Sequence, residues 1–248
     1  MSKSGLAVAP RFLPSGDTAL VVEFGDRLDR HISALVLNLR RRVQEADIAG
    51  VSEAVPTFRS LMVHYDPLIV RARELEARLM PLIDGLEAEA LVGQRWLFPT
   101  CYEGDDYAPD LADVASAAGL STAEVVAMHA SVEHLVYVIG FLPGQAYMGD
   151  LPTALNLPRR TSPRIKVTAG SVAIAIGQTT VYTFDSPGGW HIIGRTAVPL
   201  CVPDRDQPAL LSPGDTVHFG AVGRVVYDDM LAASAAGVFD IDTLRAPE

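Results

Sequence analysis

Apolar and polar positions alternate between strand-like and helix-like patterns in the first part of the chain. The segment TALVVEF (18–24) is apolar and β-branched, which is typical of a strand, and Gly25-Asp26 ends it. Apolar residues then recur on one helical face from Ile32 to Val43. Two more strands are expected within 50–67, and a second amphipathic helix follows over 75–86. This order predicts a small β-α-β-β-α domain.

A strand-rich pattern replaces this alternation after residue 92. RWLFPTCYE (95–103) begins it, and two short helices follow. The second helix opens with STAE (121–124), where Ser121 and Glu124 have the spacing of a capping box. Many short strands cut by Gly and Pro come next, which predicts a barrel or a sandwich. These segments are LVYVIGF, GSVAIAI, TTVYTF, WHIIGRT, AVPLCV and DTVHFG.

The change of pattern divides the chain into three expected parts. Residues 1–92 form an N-terminal α/β domain, and residues 93–232 form a β-barrel domain. A C-terminal tail, read as a helix and a loop, occupies 233–248. The expected fold class is therefore α+β.

Composition limits the function classes. The chain has 248 residues, of which 49% are hydrophobic, and its formal net charge is −10. An acidic chain without a basic stripe argues against nucleic acid and anionic membranes as partners. Two distant cysteines without ligand spacing argue against a metal site. The short N-terminal apolar patch and the lack of a long apolar run predict a soluble, cytoplasmic protein.

The segment TFDSPGGWHIIGRT (183–196) combines a flexible corner with polar side chains. A Pro-Gly-Gly sequence is most often a plain turn, but glycine also permits close approach of backbone N–H groups to a ligand. In the second interpretation, Trp190 forms one wall of a ligand pocket and the Arg195 guanidinium binds a carboxylate of the ligand. On a regular strand, His191 and Arg195 share one face and Trp190 lies on the other.

Two further stretches carry candidate binding residues, each with an equally plausible structural role. The irregular loop IGFLPGQAYMGDLP (139–152) offers the Tyr147 hydroxyl. The segment 162–182 offers Arg164, the turn at Gly170-Ser171 and Gln178. His129 lies near the end of the capped helix, where the helix dipole alone is a sufficient reason for it.

These stretches together resemble a known family. GFLPGQAYMGDLP, PRIKVTAGSVAIAIGQTTVY and DSPGGWHIIGRT are similar to the motifs of the Kip inhibitor family, also called allophanate hydrolase subunit 1 or the 5-oxoprolinase B subunit. Residues 101–141 resemble its upstream segment, and PALLSPGDTVHFG (208–220) resembles its closing strand. The resemblance implies that the second domain is a cyclophilin-like β-barrel.

The resemblance also implies an activity and partners. It implies one subunit of an ATP-dependent 5-oxoprolinase that cleaves 5-oxo-L-proline to L-glutamate, and this subunit is inactive alone. The implied partners are the A subunit of that enzyme and a second cyclophilin-like protein of the Kip-antagonist or C-subunit type. ATP is the implied co-substrate, bound by this chain or by a partner. The alternatives are a Kip-type inhibitor of a sensor histidine kinase and a urea- or allophanate-metabolising subunit.

The resemblance supports the positions of the candidate site residues, and their chemistry gives the expected roles. Cleavage of an amide that resists attack needs preorganised hydrogen-bond donors, which stabilise the charge that develops in the transition state. It also needs a side chain that transfers a proton. The expected catalytic residues are His129, Arg195 and Gln178. The expected substrate-binding residues are Tyr147, Arg164, Gly170, Ser171, Pro187, Gly188, Gly189 and Trp190.

The chain also departs from the family motifs at four positions. Gln145 stands at a Phe position and Asp150 at a Gly position. Ala173 and Ile176 stand where Gly is common. The added side chains are expected to narrow the pocket, which leaves open whether the substrate is another amide.

Overall fold

The structure is a computed structural model that describes residues 10–89 and 93–246. The chain divides into two compact units, Met1–Val92 and Gly93–Glu248. The N-terminal apolar patch and the residues just before the expected domain boundary lie outside the described residues. Whether each unit folds by itself stays a prediction.

Within its described residues, 10–89, the first unit contains one antiparallel sheet and two helices. The strands pair in the order β1-β2-β4-β3. The elements are β1 Arg11–Ser15, β2 Ala19–Glu23, α1 Arg30–Ala46, β3 Val51–Pro56, β4 Ser60–Tyr65 and α2 Ala72–Ile83.

The first unit begins with a strand that the sequence pattern did not reveal. The order is β-β-α-β-β-α, whereas β-α-β-β-α was expected. β1 is an edge strand with mostly exposed residues and contains Pro14. An edge strand tolerates proline and needs no alternating apolar face, so periodicity cannot detect it.

The core of the first unit lies between the helices and the sheet. The apolar face of α1, including Leu39, and the face of α2, including Leu75 and Leu79, are buried. They pack in one cluster with strand residues such as Leu61 and Val63. The helical periodicity in the sequence therefore predicted the apolar faces of both helices, although α1 is buried at every position from Ser33 to Leu39.

The second unit is built around a closed barrel. Seven strands close it in the order β10-β7-β6-β13-β5-β12-β9, and β8 and β11 form a separate two-stranded ribbon. The expected α+β class and β-barrel are confirmed. The strands are β5 Arg95–Cys101, β6 His134–Ile139, β7 Ala146–Met148, β8 Arg164–Val167, β9 Ser171–Ala175, β10 Gln178–Val181, β11 Ser186–Gly188, β12 His191–Thr196 and β13 Thr216–Val222.

The helices of the barrel unit pack against its strands. The capping box expected at Ser121 and Glu124 is present at the start of α4. Among the described residues, no single helix is long and apolar enough to cross a membrane; α3 and α4 pass that test only as a pair bent by 92°. The helices are α3 Leu111–Ala118, α4 Thr122–Ala130 and α5 Arg224–Ala235, with 3-10 turns at Thr153–Leu155 and Ile241–Leu244.

Two expected segments differ in the structure. AVPLCV (197–202) is not a regular strand and contributes only an isolated bridge between Cys201 and Ala209. Pro199 has no N–H to give to a ladder, which accounts for the difference. The expected tail boundary at 232/233 falls inside α5, and the Ala246 N–H donates to the Arg95 carbonyl at the barrel.

Successive residues of β9 point to opposite sides of the barrel wall. Val172 and Ile174 belong to the cluster that fills the interior. Ala173 and Ala175 belong to a separate cluster on the outer face. This alternation, which follows from strand geometry, divides the candidate site residues between the interior and the outer face.

Candidate functional site

An aromatic cluster on the outer face of the barrel is built over Ala173 and Ala175. Tyr182 and Trp190 are buried in it, and Tyr147 packs against it. The Tyr147 and Trp190 rings meet edge to face, with centroids 5.6 Å apart. Small alanine side chains leave room for large rings on the strand surface. Strand β7 and the corner after β11 therefore meet here.

The Ser-Pro-Gly-Gly corner has a steric requirement at its first glycine. A Cβ on Gly188 would lie 2.3 Å from the Tyr182 hydroxyl, so no side chain fits there. A Cβ on Gly189 would meet Pro163 at an ordinary 3.6 Å. The Gly189 carbonyl instead accepts a hydrogen bond from the Arg160 N–H at 2.7 Å. The corner is thus fixed on one side by Tyr182 and on the other by the segment 158–164.

A buried carboxylate connects that segment to the barrel. Asp110 is 1% exposed and accepts from Arg160 Nη1 at 2.7 Å. It also accepts from both Nη atoms of Arg164, at 2.8 and 2.7 Å, and from the Ile192 N–H at 2.7 Å. Two guanidinium groups share one carboxylate, which leaves a local excess of one positive charge.

A cavity of 440 Å³, which we call the arginine cavity, opens beside this ion cluster. At its edge, His191 Nε2 donates to the Pro158 carbonyl at 2.9 Å. This bond assigns the proton of a neutral imidazole to Nε2. Arg159 has no carboxylate partner within the described ranges. The cavity is lined by Ala117, Leu157, Pro158, Arg159, Arg160, Thr161, Ser162 and His191.

The tyrosines of the aromatic cluster remain protonated at neutral pH. Burial raises the pKa of Tyr147, and the positive charge of Arg159 opposes this only in part. Burial, reinforced by Tyr147, raises the pKa of Tyr182 to about 12, against the opposing charges of Arg159 and Arg164. Both hydroxyls can therefore act as hydrogen-bond donors, and the Arg159 charge acts on this cluster as well as on the cavity.

Gln178 lies at the same end of the outer face as Trp190. It is paired with Ala175 on β9, and His191, the residue after Trp190, is paired with the adjacent Ile174. Directly paired residues point to the same side of a sheet, so Gln178 faces outward like Ala175. Its Oε1 atom is buried and has no hydrogen-bond partner in the described part of the chain. We call this region the Ala175 end.

Arg195 lies at the other end of the same face. It is paired with Ser171, four residues from Ala175 along β9, which corresponds to about 13 Å. Its guanidinium carbon lies 5.7 Å from the centroid of the Tyr107 ring. The structure therefore does not bring Arg195 together with Gln178.

Gly170 and Ser171 belong to this distant end and serve the turn before β9. Gly170 has a φ of +80°, and a Cβ there would lie 2.4 Å from the Thr196 carbonyl oxygen. Ser171 is 1% exposed, and its carbonyl accepts from the Tyr182 N–H. Backbone geometry is a sufficient reason for both residues.

A bulge in β12 overturns the face assignment expected from a regular strand. The register shifts between Ile192 and Gly194, so one extra residue stands in the strand. His191 and Arg195 consequently lie on opposite faces, whereas they were expected to share one. Trp190 and Arg195 share the outer face but lie at its two ends.

His129 lies inside the barrel and does not reach the outer face. Its Nδ1 is 2.9 Å from the Tyr102 hydroxyl and its Nε2 is 3.2 Å from Thr179 Oγ1. Burial, followed by the charges of His134 and His218, lowers the pKa of His129 well below its ordinary value. A neutral, fully enclosed imidazole explains this residue as part of the core.

Of the expected site residues, the structure groups only some. Arg164 lies next to the group, but Asp110 engages both of its Nη atoms. Pro187 is exposed in the same corner. The residues at or beside the Ala175 end are Tyr147, Gln178, Gly188, Gly189 and Trp190.

Several residues of this region were not among the sequence candidates. The sequence carries one signal for them: three arginines lie within LPRRTSPR (157–164) of an acidic chain, although only Arg164 is among the expected binding residues. The partnership with Asp110 could not be read from spacing, because it lies 50 residues away from Arg160. The residues missed are Asp110, Arg159, Arg160, Tyr182 and His191.

Within residues 10–89 and 93–246, no group of three or more His, Cys, Asp or Glu side chains is arranged to hold a metal ion. The polar chemistry at the Ala175 end comes from amide, hydroxyl, imidazole and guanidinium groups.

Comparison with known proteins shows which family the chain belongs to. Residues 10–211 match the family model described as carboxyltransferase domain, subdomain C and D. The chain belongs to this carboxyltransferase C and D family. The match begins one residue before β1 of the first unit and runs past β12 of the barrel, so it includes the whole Ala175 end.

Curated relatives in the family match nearly end to end. The chain is 34% identical over 226 residues to the 5-oxoprolinase B subunit of Bacillus subtilis, covering 86% of this chain and 92% of that protein. It is 40% identical over 207 residues to the 5-oxoprolinase B subunit of Escherichia coli O157:H7, covering 82% and 92%. The family resemblance stated from the sequence motifs is therefore confirmed.

Two solved structures have a similar fold. TTHA0988 is 35% identical with a TM-score of 0.71; the match covers 82% of this chain but only 40% of that one. The urea amidolyase of K. lactis has a TM-score of 0.80 at 21% identity, covering 97% of this chain and 16% of that one. The second likeness, at this identity, shows the fold alone.

Proposed function

We propose that the chain is the B subunit of an ATP-dependent 5-oxoprolinase that converts 5-oxo-L-proline to L-glutamate. The observation that carries this proposal is the match at 34–40% identity to proteins named as the B subunit of 5-oxoprolinase, each covered over 92% of its length. The partners are the A subunit of the enzyme and a cyclophilin-like protein of the C-subunit type. The chain alone is inactive in this proposal.

The Ala175 end supports a site for a planar amide. Gln178 presents an amide whose carbonyl oxygen has no partner among the described residues, and Tyr147 presents a protonated phenol. An amide side chain pairs with a lactam through one donor and one acceptor. The apolar rings beside them suit a compact hydrocarbon ring.

Hydrolysis of a lactam is difficult, which is the reason that the proposed reaction consumes ATP. A lactam is resonance-stabilised, and transfer of the γ-phosphoryl group to its oxygen makes that oxygen a better leaving group. Water then attacks the carbon and the C–N bond breaks, which gives γ-glutamyl phosphate. A second water hydrolyses this acyl phosphate to glutamate and phosphate, and ADP has already been released in the phosphoryl transfer. In this proposal the chain orients the lactam, and ATP binds here or on a partner.

The roles first expected for two residues are not carried into the proposal. Arg195 is about 13 Å along the strand from the Ala175 end, and His129 is enclosed in the barrel. The remaining candidates for charge stabilisation are Gln178 and the backbone at Gly188-Gly189.

Reconstitution tests the proposal. The purified chain is mixed with the A and C subunits encoded by the same genome, and glutamate release from 5-oxo-L-proline is followed with ATP. We expect release only when all three proteins and ATP are present, with omission of each as the control. A complete set that releases no glutamate would contradict the proposal.

A second candidate function is a role in urea or allophanate breakdown. The observation in its favour is a match to the urea amidolyase of Saccharomyces cerevisiae, at 25% identity over 92% of this chain. The chain covers only 14% of that protein, so the support is weaker. Assays of urea and allophanate in the same reconstituted set separate the two functions.

A further inference from the structure

We propose that the arginine cavity is a carboxylate-binding subsite, which takes a small monocarboxylate with a compact apolar body through Arg159 and Arg160. The identification of that acid as 5-oxo-L-proline rests on the proposed function. The binding chemistry itself rests on the charges and the shape of the cavity.

Charge is the first reason. Asp110 balances only one of the two guanidinium groups bound to it, and Arg159 adds a further positive charge without a carboxylate partner among the described residues. This positive region stands in a chain with a formal net charge of −10. A local excess of guanidinium groups in an acidic protein favours a bound anion.

The second reason is that the Arg160 guanidinium has hydrogen-bond donors that Asp110 does not use. Only its Nη1 is bound to Asp110, whereas both Nη atoms of Arg164 are. Its Nε is buried and has no hydrogen-bond partner in the part of the chain that the structure describes. Asp110 thus holds Arg160 in place while leaving donors of the guanidinium unused.

The shape of the cavity selects the ligand class. Its volume of 440 Å³ lies in the range of small-molecule sites. Its lining combines the apolar residues Ala117, Leu157 and Pro158 with the cationic residues Arg159 and Arg160. An acid with a hydrocarbon ring gains from both features, whereas inorganic phosphate gains from the charge alone.

The cavity also borders the proposed lactam site. The charge of Arg159 acts on Tyr147 and on Tyr182, so the guanidinium lies within electrostatic range of the aromatic cluster. Arg160, which lines the cavity, donates its backbone N–H to the carbonyl of Gly189, the residue before Trp190. The cavity and the aromatic cluster therefore meet at the Gly189 corner.

Binding to the full-length chain tests the proposal by isothermal titration. The probes are 5-oxo-L-proline and 2-pyrrolidinone, which has the same lactam ring without the carboxylate. We expect saturable binding of the acid only. Equal binding of both probes, or no saturable binding of the acid, overturns the proposal.

Matched variants assign the binding to the arginines. Arg160→Gln and Arg159→Gln should each weaken binding of the acid by about tenfold, as expected for loss of a charge-assisted contact. In Arg160→Gln, Asp110 keeps both bonds to Arg164, so the fold is retained. Lys166→Gln, which removes an exposed cation paired with Asp185, is the control and should bind as the original chain does.

The reconstituted complex distinguishes the two proposals. If the complex releases glutamate, and complexes made with either arginine variant keep the original KM for 5-oxo-L-proline, the proposed subsite is wrong and the proposed function stands. If it is inactive on 5-oxo-L-proline while the chain binds the acid through Arg160, the function is wrong and the subsite stands.

Discussion

At the scale of single residues, Asp110 determines the structure around the candidate site. Its carboxylate holds two arginines and the backbone N–H of β12. All of these partners approach a side chain that is almost completely buried. Loss of the Asp110 charge should therefore weaken the contacts of the 158–164 segment and of strand β12 at the same time.

We predict that Asp110→Asn destabilises the protein by about 3–5 kcal/mol, because it leaves partly buried guanidinium groups without their counter-charge. Urea unfolding measures the change. Asp185→Asn is the control: this carboxylate is exposed and paired with Lys166, so the loss should be much smaller. Equal losses in both variants would show that the buried carboxylate of Asp110 contributes no more to stability than an exposed one.

The buried histidines predict a pH dependence. Burial lowers the pKa of His129 and of His134 below the ordinary value of 6.5. The unfolded chain then binds more protons than the folded chain as the pH falls below about 6.5. The free energy of unfolding should therefore be highest above that pH and should decrease between pH 6.5 and 5.5.

Urea unfolding at a series of pH values checks this prediction. His31→Gln, which changes an exposed residue on α1, should keep the decrease, while His134→Gln should reduce it. A free energy of unfolding that is constant from pH 7 to 5.5 would refute the assignment of neutral histidines to the barrel interior.

At the scale of elements, the short ribbon of β8 and β11 depends on one close approach. Gly188 lies in β11, and the Tyr182 ring occupies the space that a side chain would need. The same glycine forms part of the corner beside Trp190. Packing, rather than an unusual backbone angle, makes glycine necessary at this position.

We predict that Gly188→Ala lowers the stability by about 1–3 kcal/mol through overpacking against Tyr182. Tyr182→Phe removes the nearest atom and should restore part of that loss in the double variant. Gly189→Ala, where a Cβ meets only ordinary contacts, is the control. Thermal unfolding of the variants measures these effects, and additive single losses would argue against a direct clash.

At the scale of the whole molecule, the largest apolar cluster found among the described residues of each unit stays within that unit. The cluster of the first unit and the interior cluster of the barrel share no residue. The barrel cluster includes Leu244, which follows α5. The C-terminal residues are therefore part of the barrel core, although their sequence pattern resembled a tail.

We predict that a fragment of residues 93–248 folds cooperatively by itself, because it retains its complete core. Near-UV circular dichroism and urea unfolding test this. A fragment of residues 93–232, which ends inside α5 and lacks Leu244, should not give a cooperative transition. Cooperative folding of the shorter fragment would show that the residues after 232 are not needed for the barrel core.

The sequence by itself determined the features that depend on neighbouring residues. Apolar periodicity predicted α1 and α2, the Ser121–Glu124 spacing predicted the start of α4, and three motifs predicted the family and its barrel. Each of these signals lies within one element or one short motif, where local propensity and patterning act.

Only the tertiary structure decided which side chains meet. The bulge in β12 changed the faces of His191 and Arg195, and enclosure in the barrel separated His129 from Gln178. Asp110 reaches Arg160 across 50 positions and Ile192 across 82. Such contacts depend on strand register and long-range packing, and no local pattern of the chain encodes them individually.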